Sequence, residues 1–336
     1  MVTIFKPCIF IILFSSKIKF NPIFAINYKL LMKFLIFILV YPIVWLISLL
    51  PMRLLYLFSD FIYLLVYYIF GYRKKVVTSN LHLAFPEKSD KEIIKIQKKF
   101  YSHFIDIFIE MIKSFSISEK ELQKRYQFSN IELLQEQEKK GKSIVLMGSH
   151  YANWEWIIVL NKYISFKTYA AYTRIQNKYF EKKILASRER LGANFKKTNE
   201  FIPFIESNKK NNVLALYGLL SDQSPQLDRS KYFSEFMGVK VPVHTGAEFL
   251  AKKFDHSVIL LKTKKIKRGY YITEFKILAK NPNDYNNYEI TDLFLREVES
   301  QIKEKPEHYF WSHKRWKHAN RIEEELERRK KLQQKS

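Results

Sequence analysis

The sequence predicts an α/β protein: a mostly parallel sheet flanked by helices, carried behind an N-terminal hydrophobic membrane anchor. Three observations carry this. Downstream of residue 143, short apolar runs that stop at polar residues alternate with stretches at helical spacing, the order that βαβ units require. Upstream, 19 consecutive uncharged residues run from Phe34 to Met52, close to the ~20 needed to cross a hydrocarbon core. The composition supports a sizeable core, with 47% of the 336 residues hydrophobic, 16% aromatic, and only 8 Gly and 10 Pro. Such a chain is neither disordered nor linker-dominated. A single cysteine, Cys8, excludes a disulfide framework and a Cys-based zinc site.

From the N-terminus, residues 1–31 hold short apolar runs broken by Lys6, Lys17, Lys19 and Lys29, and Met32 would make a natural start. They are expected to be an extension. Residues 32–75 are expected to anchor the chain. The first apolar run is followed by a second, Leu54 to Tyr72, whose one charge is Asp60, and then by Arg73-Lys74-Lys75. Trp45 and the five tyrosines Tyr41, Tyr56, Tyr63, Tyr67 and Tyr68 suit a membrane interface. One spanning helix followed by a helix in the interface is the expected arrangement, because Asp60 would be costly at mid-membrane; a hairpin of two spans is the alternative.

Residues 76–318 are expected to form the α/β domain. Ser89-Asp90-Lys91-Glu92 has the form of a capping box and opens a helix from Ile93 to Ile112. Ser143 to Met147 reads as a buried strand, 154–160 as helix, Phe166 to Tyr172 as strand, and Asn177 to Leu191 as helix stopped by Gly192. Val213 to Leu220 is a third strand, Gly246 to Phe254 a helix, Ser257 to Leu261 and Tyr270 to Leu278 strands, and Thr291 to Lys303 a helix. Residues 319–336 read as a charged, solvated tail helix.

His150, Arg174 and Asp222 each follow an apolar strand. A parallel sheet would bring them to its carboxyl edge, where open α/β folds bind ligands. Glu155 lies five residues after His150, a step that does not share one helix face. The His is therefore expected at the strand end with Glu155 behind it, fixing the tautomer so that Nε2 can take a proton from a hydroxyl. No strained nucleophile elbow is apparent, which favours direct attack by a substrate hydroxyl. His308, His313 and His318 recur every five residues without carboxylates, a spacing that does not make a metal site; neither metal nor cofactor is expected.

Four blocks together resemble the bacterial lipid A biosynthesis acyltransferases, the late lauroyl/myristoyl transferases. They are Gly148-Ser149-His150-Tyr151-Ala152-Asn153-Trp154-Glu155; Tyr172-Thr173-Arg174-Ile175-Gln176-Asn177 with Arg188 and Arg190; Ser221-Asp222-Gln223 leading to Phe236-Met237-Gly238 and Thr245-Gly246-Ala247; and Pro306 to Lys317. An entry block, Asn80-Leu81 with Ala84-Phe85-Pro86, also fits. The likeness spans roughly residues 33–318. The His-x4-acid motif is shared with glycerolipid acyltransferases more widely, whereas the last block is more specific.

The resemblance implies a glycerolipid-acyltransferase-like fold and transfer of an acyl chain from an acyl carrier protein thioester to a hydroxyl of an anionic lipid A precursor. The implied location is the cytoplasmic face of the bacterial inner membrane. It implies His150 as general base with Glu155 as its orienting partner, and Arg174, Arg188, Arg190 and Asp222 as substrate-binding residues. Relatives acylate other membrane glycolipids or aminolipids, which is the alternative acceptor. The net charge of +24, from 57 Lys+Arg against 33 Asp+Glu, suits an acidic carrier protein and a phosphorylated lipid. It also raises a membrane-tethered nucleic-acid-binding protein as a rival, but no reader module is present and no nucleic-acid partner is expected. A non-catalytic membrane scaffold is the third reading.

Overall fold

The computed structural model describes residues 22–334; expectations for the first 21 residues, Cys8 included, lie outside the described residues. The chain adopts the expected fold class. Its first helices are α1 (Pro22–Leu49), α2 (Met52–Leu64), α3 (Lys74–Ala84) and α4 (Asp90–Lys113). From Leu30 to Leu49, α1 is apolar and long enough to cross a membrane, by length and composition. Pro51 separates it from α2, which continues through a π-helical turn at Leu65–Ile69. One face of α2 buries Met52, Leu55 and Ser59 and packs against α4. Asp60, the charge that the sequence left unexplained, pairs with Arg268 at 2.6 Å. The Ser89 backbone N–H donates to Glu92 Oε2 at 3.0 Å, so the capping box starts α4 as its residues predict.

Short helices α5 (Glu119–Arg125) and α6 (Glu132–Lys139) flank strand β1 (Tyr126–Phe128). The remaining strands are β2 (Ile144–Gly148), β3 (Lys167–Tyr172), β4 (Asn194–Lys197), β5 (Ala215–Leu220), β6 (Tyr232–Phe236), β7 (Val239–Val243), β8 (Ser257–Lys267) and β9 (Tyr270–Ala279). Helices α7 (Lys178–Glu189), α8 (Phe201–Lys210), α9 (Gly246–Phe254), α10 (Glu289–Glu304) and α11 (Ile322–Gln333) complete the elements.

Seven strands form one sheet in the order β1-β9-β8-β2-β5-β3-β4, parallel except between β8 and β9. Both faces are covered. Ile144 and Leu146 of β2 enter one apolar core while Val145 and Met147 enter the other, and Leu216 of β5 alternates in the same way with Ala215 and Tyr217. This two-sided burial is why the central strands read as continuous apolar runs. The segment after β2, expected as α-helix, is a 3₁₀ helix over Trp156–Lys162.

Four strands were invisible in the sequence pattern for physical reasons. Strands β1 and β4 have three and four residues and sit at the sheet edges, too short to show a period. The β6–β7 hairpin turns on Met237 and Gly238, with φ of 52° and 75°, the two positive angles that a tight hairpin uses. The C-terminal tail departs from expectation. It is helical, but Ile322 is buried, and Arg329 ties α11 to the carbonyls of Ser230 and Leu227 at 2.6 and 2.8 Å.

Candidate active site

Strands β2 and β5 are neighbours, with Gly148 paired to Leu220 and the Ser221 N–H reaching the Gly148 carbonyl at 3.1 Å. Gly148 is closely packed, since an added Cβ would lie 2.9 Å from Leu220 Cδ2 and that side chain would have to shift. His150 and Asp222 are each two residues past the last paired position of their strands, so the register brings them together. His150 Nδ1 and Asp222 Oδ1 are 2.8 Å apart, with 2% and 0% of the two residues exposed. Burial alone would raise the Asp222 pKa, but the His150 ring and its hydrogen bond outweigh that and hold the carboxyl below its usual range. An ionised Asp222 accepts the Nδ1 proton and leaves the Nε2 lone pair free. Nε2 is buried and has no hydrogen-bond partner among the described residues.

This corrects the expected pairing. Glu155 does not back His150; Asp222 does. Ala152 adopts a left-handed φ of 51°, turning the chain, and Glu155 comes to stand immediately before the 3₁₀ helix. Its carboxylate pairs with Arg188 instead, Nη2 to Oε2 at 2.6 Å, both groups largely buried. The Arg188 guanidinium also lies 5.3 Å above the Phe195 ring. The other two arginines are not at the His–Asp pair. Arg174 is exposed and 3.6 Å from Glu181, while Arg190 donates to the carbonyls of Ser114 and Ile117 at 3.2 and 2.8 Å, tying α7 to the turn after α4. The expectation of substrate contact rests on Arg188 among the three.

The fourth sequence block builds the wall of the site. Tyr151 and Tyr309 form an antiparallel bridge, the Phe310 N–H donates to the His150 carbonyl at 3.1 Å, and the Ala152 N–H donates to the His308 carbonyl at 3.0 Å. The entry block supports this wall, as Asn80 Nδ2 donates to the carbonyls of Trp311 and His313 at 2.8 and 2.7 Å. Burial and the nearby Asp222 carboxylate push the Tyr309 phenol pKa far up. Arg315 is 1% exposed, donates Nη1 to the Pro242 carbonyl at 3.0 Å, and sets a buried positive charge near Asp222. The three regularly spaced histidines do not converge. The His308 ring lies tilted against that of His103, centroids 4.8 Å apart, and His313 Nε2 accepts the Ser224 N–H at 3.2 Å with its pKa pushed down by burial to about 4. Among the described residues no group of three His, Cys, Asp or Glu is placed to hold a metal ion.

Three functional candidates escaped the sequence reading: Asn153, Glu110 and Trp154. Asn153 Oδ1 accepts from the N–H groups of Glu155 and Trp156 at 3.0 and 2.9 Å, and its Nδ2 donates to Glu110 Oε2 at 2.6 Å. Glu110, fully buried on α4, also accepts from Tyr56 of α2 and Tyr271 of β9, both at 2.8 Å. Burial and the neighbouring Asp106 push its pKa up to about 7. One carboxylate thus links α2 to the turn that carries the site. Asn153→Ala removes a cap and a donor to a buried carboxylate, so we expect it to cost about 2–4 kcal/mol. A drop in melting temperature in detergent checks this, and an unchanged melting point would show that the turn holds itself.

A buried imidazole backed by a carboxylate, with its distal nitrogen free, can remove a proton from an alcohol but offers no protein nucleophile. A family comparison decides which reactions to weigh: the model for "Bacterial lipid A biosynthesis acyltransferase" matches residues 21–318. The chain belongs to that family. The match takes in α1, the whole sheet, both partners of the His–Asp pair and the fourth block, so this lipid A acyltransferase carries its site within the family region. Among curated proteins none matches the chain. The apolar helix α1 and the membrane association of the family together suggest that this acyltransferase works at a membrane.

Proposed function

We propose that this acyltransferase moves a fatty acyl chain from an acyl carrier protein thioester to a hydroxyl of a lipid A precursor, at the cytoplasmic face of the bacterial inner membrane. The observation that carries the chemistry is the His150–Asp222 pair with Nε2 free. Asp222 holds the tautomer, Nε2 takes the proton of the acceptor hydroxyl, and the alkoxide adds to the thioester carbonyl without a covalent enzyme intermediate. When the tetrahedral intermediate collapses, the carrier thiolate leaves and recovers the proton from His150. To Arg188, held by Glu155, we assign the contact with an anionic group of a substrate. The exposed apolar side chains of α1 and of the outer face of α2 keep the site beside an acceptor that stays in the bilayer.

Deleting the gene is expected to leave lipid A lighter by one acyl chain in mass spectra, with the mass restored by the wild-type gene. Unchanged lipid A together with a lighter glycolipid or aminolipid would move the acceptor to that lipid. No change in any lipid would reject the reading.

A further inference from the structure

We infer that Trp154 is a catalytic residue whose indole N–H binds the carbonyl oxygen of the acyl thioester as that oxygen becomes an oxyanion. The inference rests on the acyl transfer proposed above and assigns the group that reaction still lacks, a donor for the negative charge that develops on the carbonyl.

Four of the five tryptophans are buried, and three of those four donate a hydrogen bond. Trp156 donates to Ser114 Oγ at 3.1 Å, Trp311 to the Pro306 carbonyl at 2.6 Å and Trp316 to the Phe236 carbonyl at 3.3 Å. Trp154 is 3% exposed, yet its Nε1 has no acceptor among the described residues. An indole N–H can only donate, and leaving it unpaired in an interior is unfavourable. Its position gives the open donor a use. The Trp154 ring centroid is 5.4 Å from that of His150, and both rings meet Phe310, at 5.4 and 5.9 Å. One cluster of three rings therefore contains an unpaired acceptor, His150 Nε2, and an unpaired donor, Trp154 Nε1. Direct acyl transfer needs that combination: a base for the entering hydroxyl and a fixed dipole for the oxyanion. Two cations stand against it: Arg188 already spends Nη2 on Glu155, and Arg315, near Asp222, spends Nη1 on the Pro242 carbonyl while its Nε and Nη2 have no acceptor among the described residues. The backbone that carries the indole is fixed by Asn153, whose Oδ1 accepts from the N–H groups of the two residues that follow Trp154, Glu155 and Trp156.

In the step itself, the acceptor oxygen forms a bond to the thioester carbon, its proton passes to His150 Nε2, and the C=O pair becomes the oxyanion that accepts from Trp154 Nε1. Re-formation of C=O breaks the C–S bond, and the imidazolium returns the proton to the departing thiolate.

The test uses the full-length protein in detergent micelles with lauroyl-acyl carrier protein and a lipid A precursor. Trp154 is replaced by Phe, and separately by benzothienylalanine, which keeps the two fused rings and exchanges N–H for sulfur. Both are expected to lower kcat by about 10²-fold, with KM within about threefold because the carbonyl is bound more tightly only in the transition state. A structural role for the ring would leave the benzothienyl variant near wild type. A kcat loss below tenfold in that variant overturns the inference, and a tenfold or larger loss at an unchanged melting temperature supports it. His150→Ala is assayed alongside. If that variant retains turnover, the proposed general-base chemistry fails; if it is inactive while the benzothienyl variant turns over normally, only the role of Trp154 fails.

Discussion

Asp222→Asn is expected to lower kcat by roughly 10³–10⁴-fold while leaving the fold intact, and His150→Ala is expected to reduce transfer to background. The reason lies in which ring nitrogen carries the proton. In the wild type the ionised Asp222 can only accept, so Nδ1 keeps its hydrogen and Nε2 presents a lone pair. An asparagine at 222 has the same shape but can turn its amide to donate to Nδ1. The tautomer then flips, Nε2 becomes protonated, and the base is lost without any loss of packing. Steady-state transfer from acyl carrier protein thioester, measured with a melting curve for each variant, checks the prediction. Asp222→Asn within tenfold of wild type would show that the contact of 2.8 Å is a structural one. Glu155→Gln provides the contrast. Because Glu155 faces Arg188 and not His150, it should leave the pH dependence of kcat unchanged, whereas Asp222→Asn should abolish the limb set by the imidazole.

How much of this could be read from the residues depends on distance along the chain. The end of each apolar run marked His150, Arg174 and Asp222 as residues of one sheet edge, and the sheet is parallel there. Which of them touch was not legible, because that depends on strand order. β5 lies between β2 and β3, which gives His150 the residue 72 positions away as its partner and turns Arg174 outward to Glu181. The pairing of Glu155 with His150 rests on the five-residue spacing and on the family resemblance. A single left-handed residue, Ala152, undoes that inference, and nothing in an alanine announces such an angle. The roles of Asn153 and Glu110 were hidden for the opposite reason: each is an ordinary polar residue until α4 and the turn are packed together. The apolar N-terminal helix, by contrast, was plain, since a long uncharged run needs no tertiary information. The domain limits drawn at 31, 75 and 318 remain proposals, and the helices α2 and α11 cross into the α/β unit more than those limits suggest, through Asp60–Arg268 and Arg329–Leu227.

The Glu155–Arg188 pair should produce the largest stability effect, and it separates bracing from binding. Both groups are buried and 2.6 Å apart, so removing one leaves the other without compensation in a low dielectric. Arg188→Met preserves most of the volume against Phe195 but strands the carboxylate, and is expected to destabilise the protein by about 3–5 kcal/mol. Adding Glu155→Gln removes the stranded charge, and the double variant should recover most of that loss, as expected when a buried pair is replaced together. Chemical or thermal denaturation in detergent measures the cycle. If the double variant is no more stable than Arg188→Met, the pair is not coupled in the way its geometry implies. Kinetics on the same proteins then give the role of the guanidinium. A pair that only braces the sheet edge regains its activity along with its stability. A guanidinium that meets an anionic substrate group leaves the double variant stable but with a raised KM, because the positive charge has gone. The second result is the one we expect, since Arg188 keeps Nη1 and Nε beyond the single bond that it gives to Glu155, and a forked donor of that shape suits a phosphate.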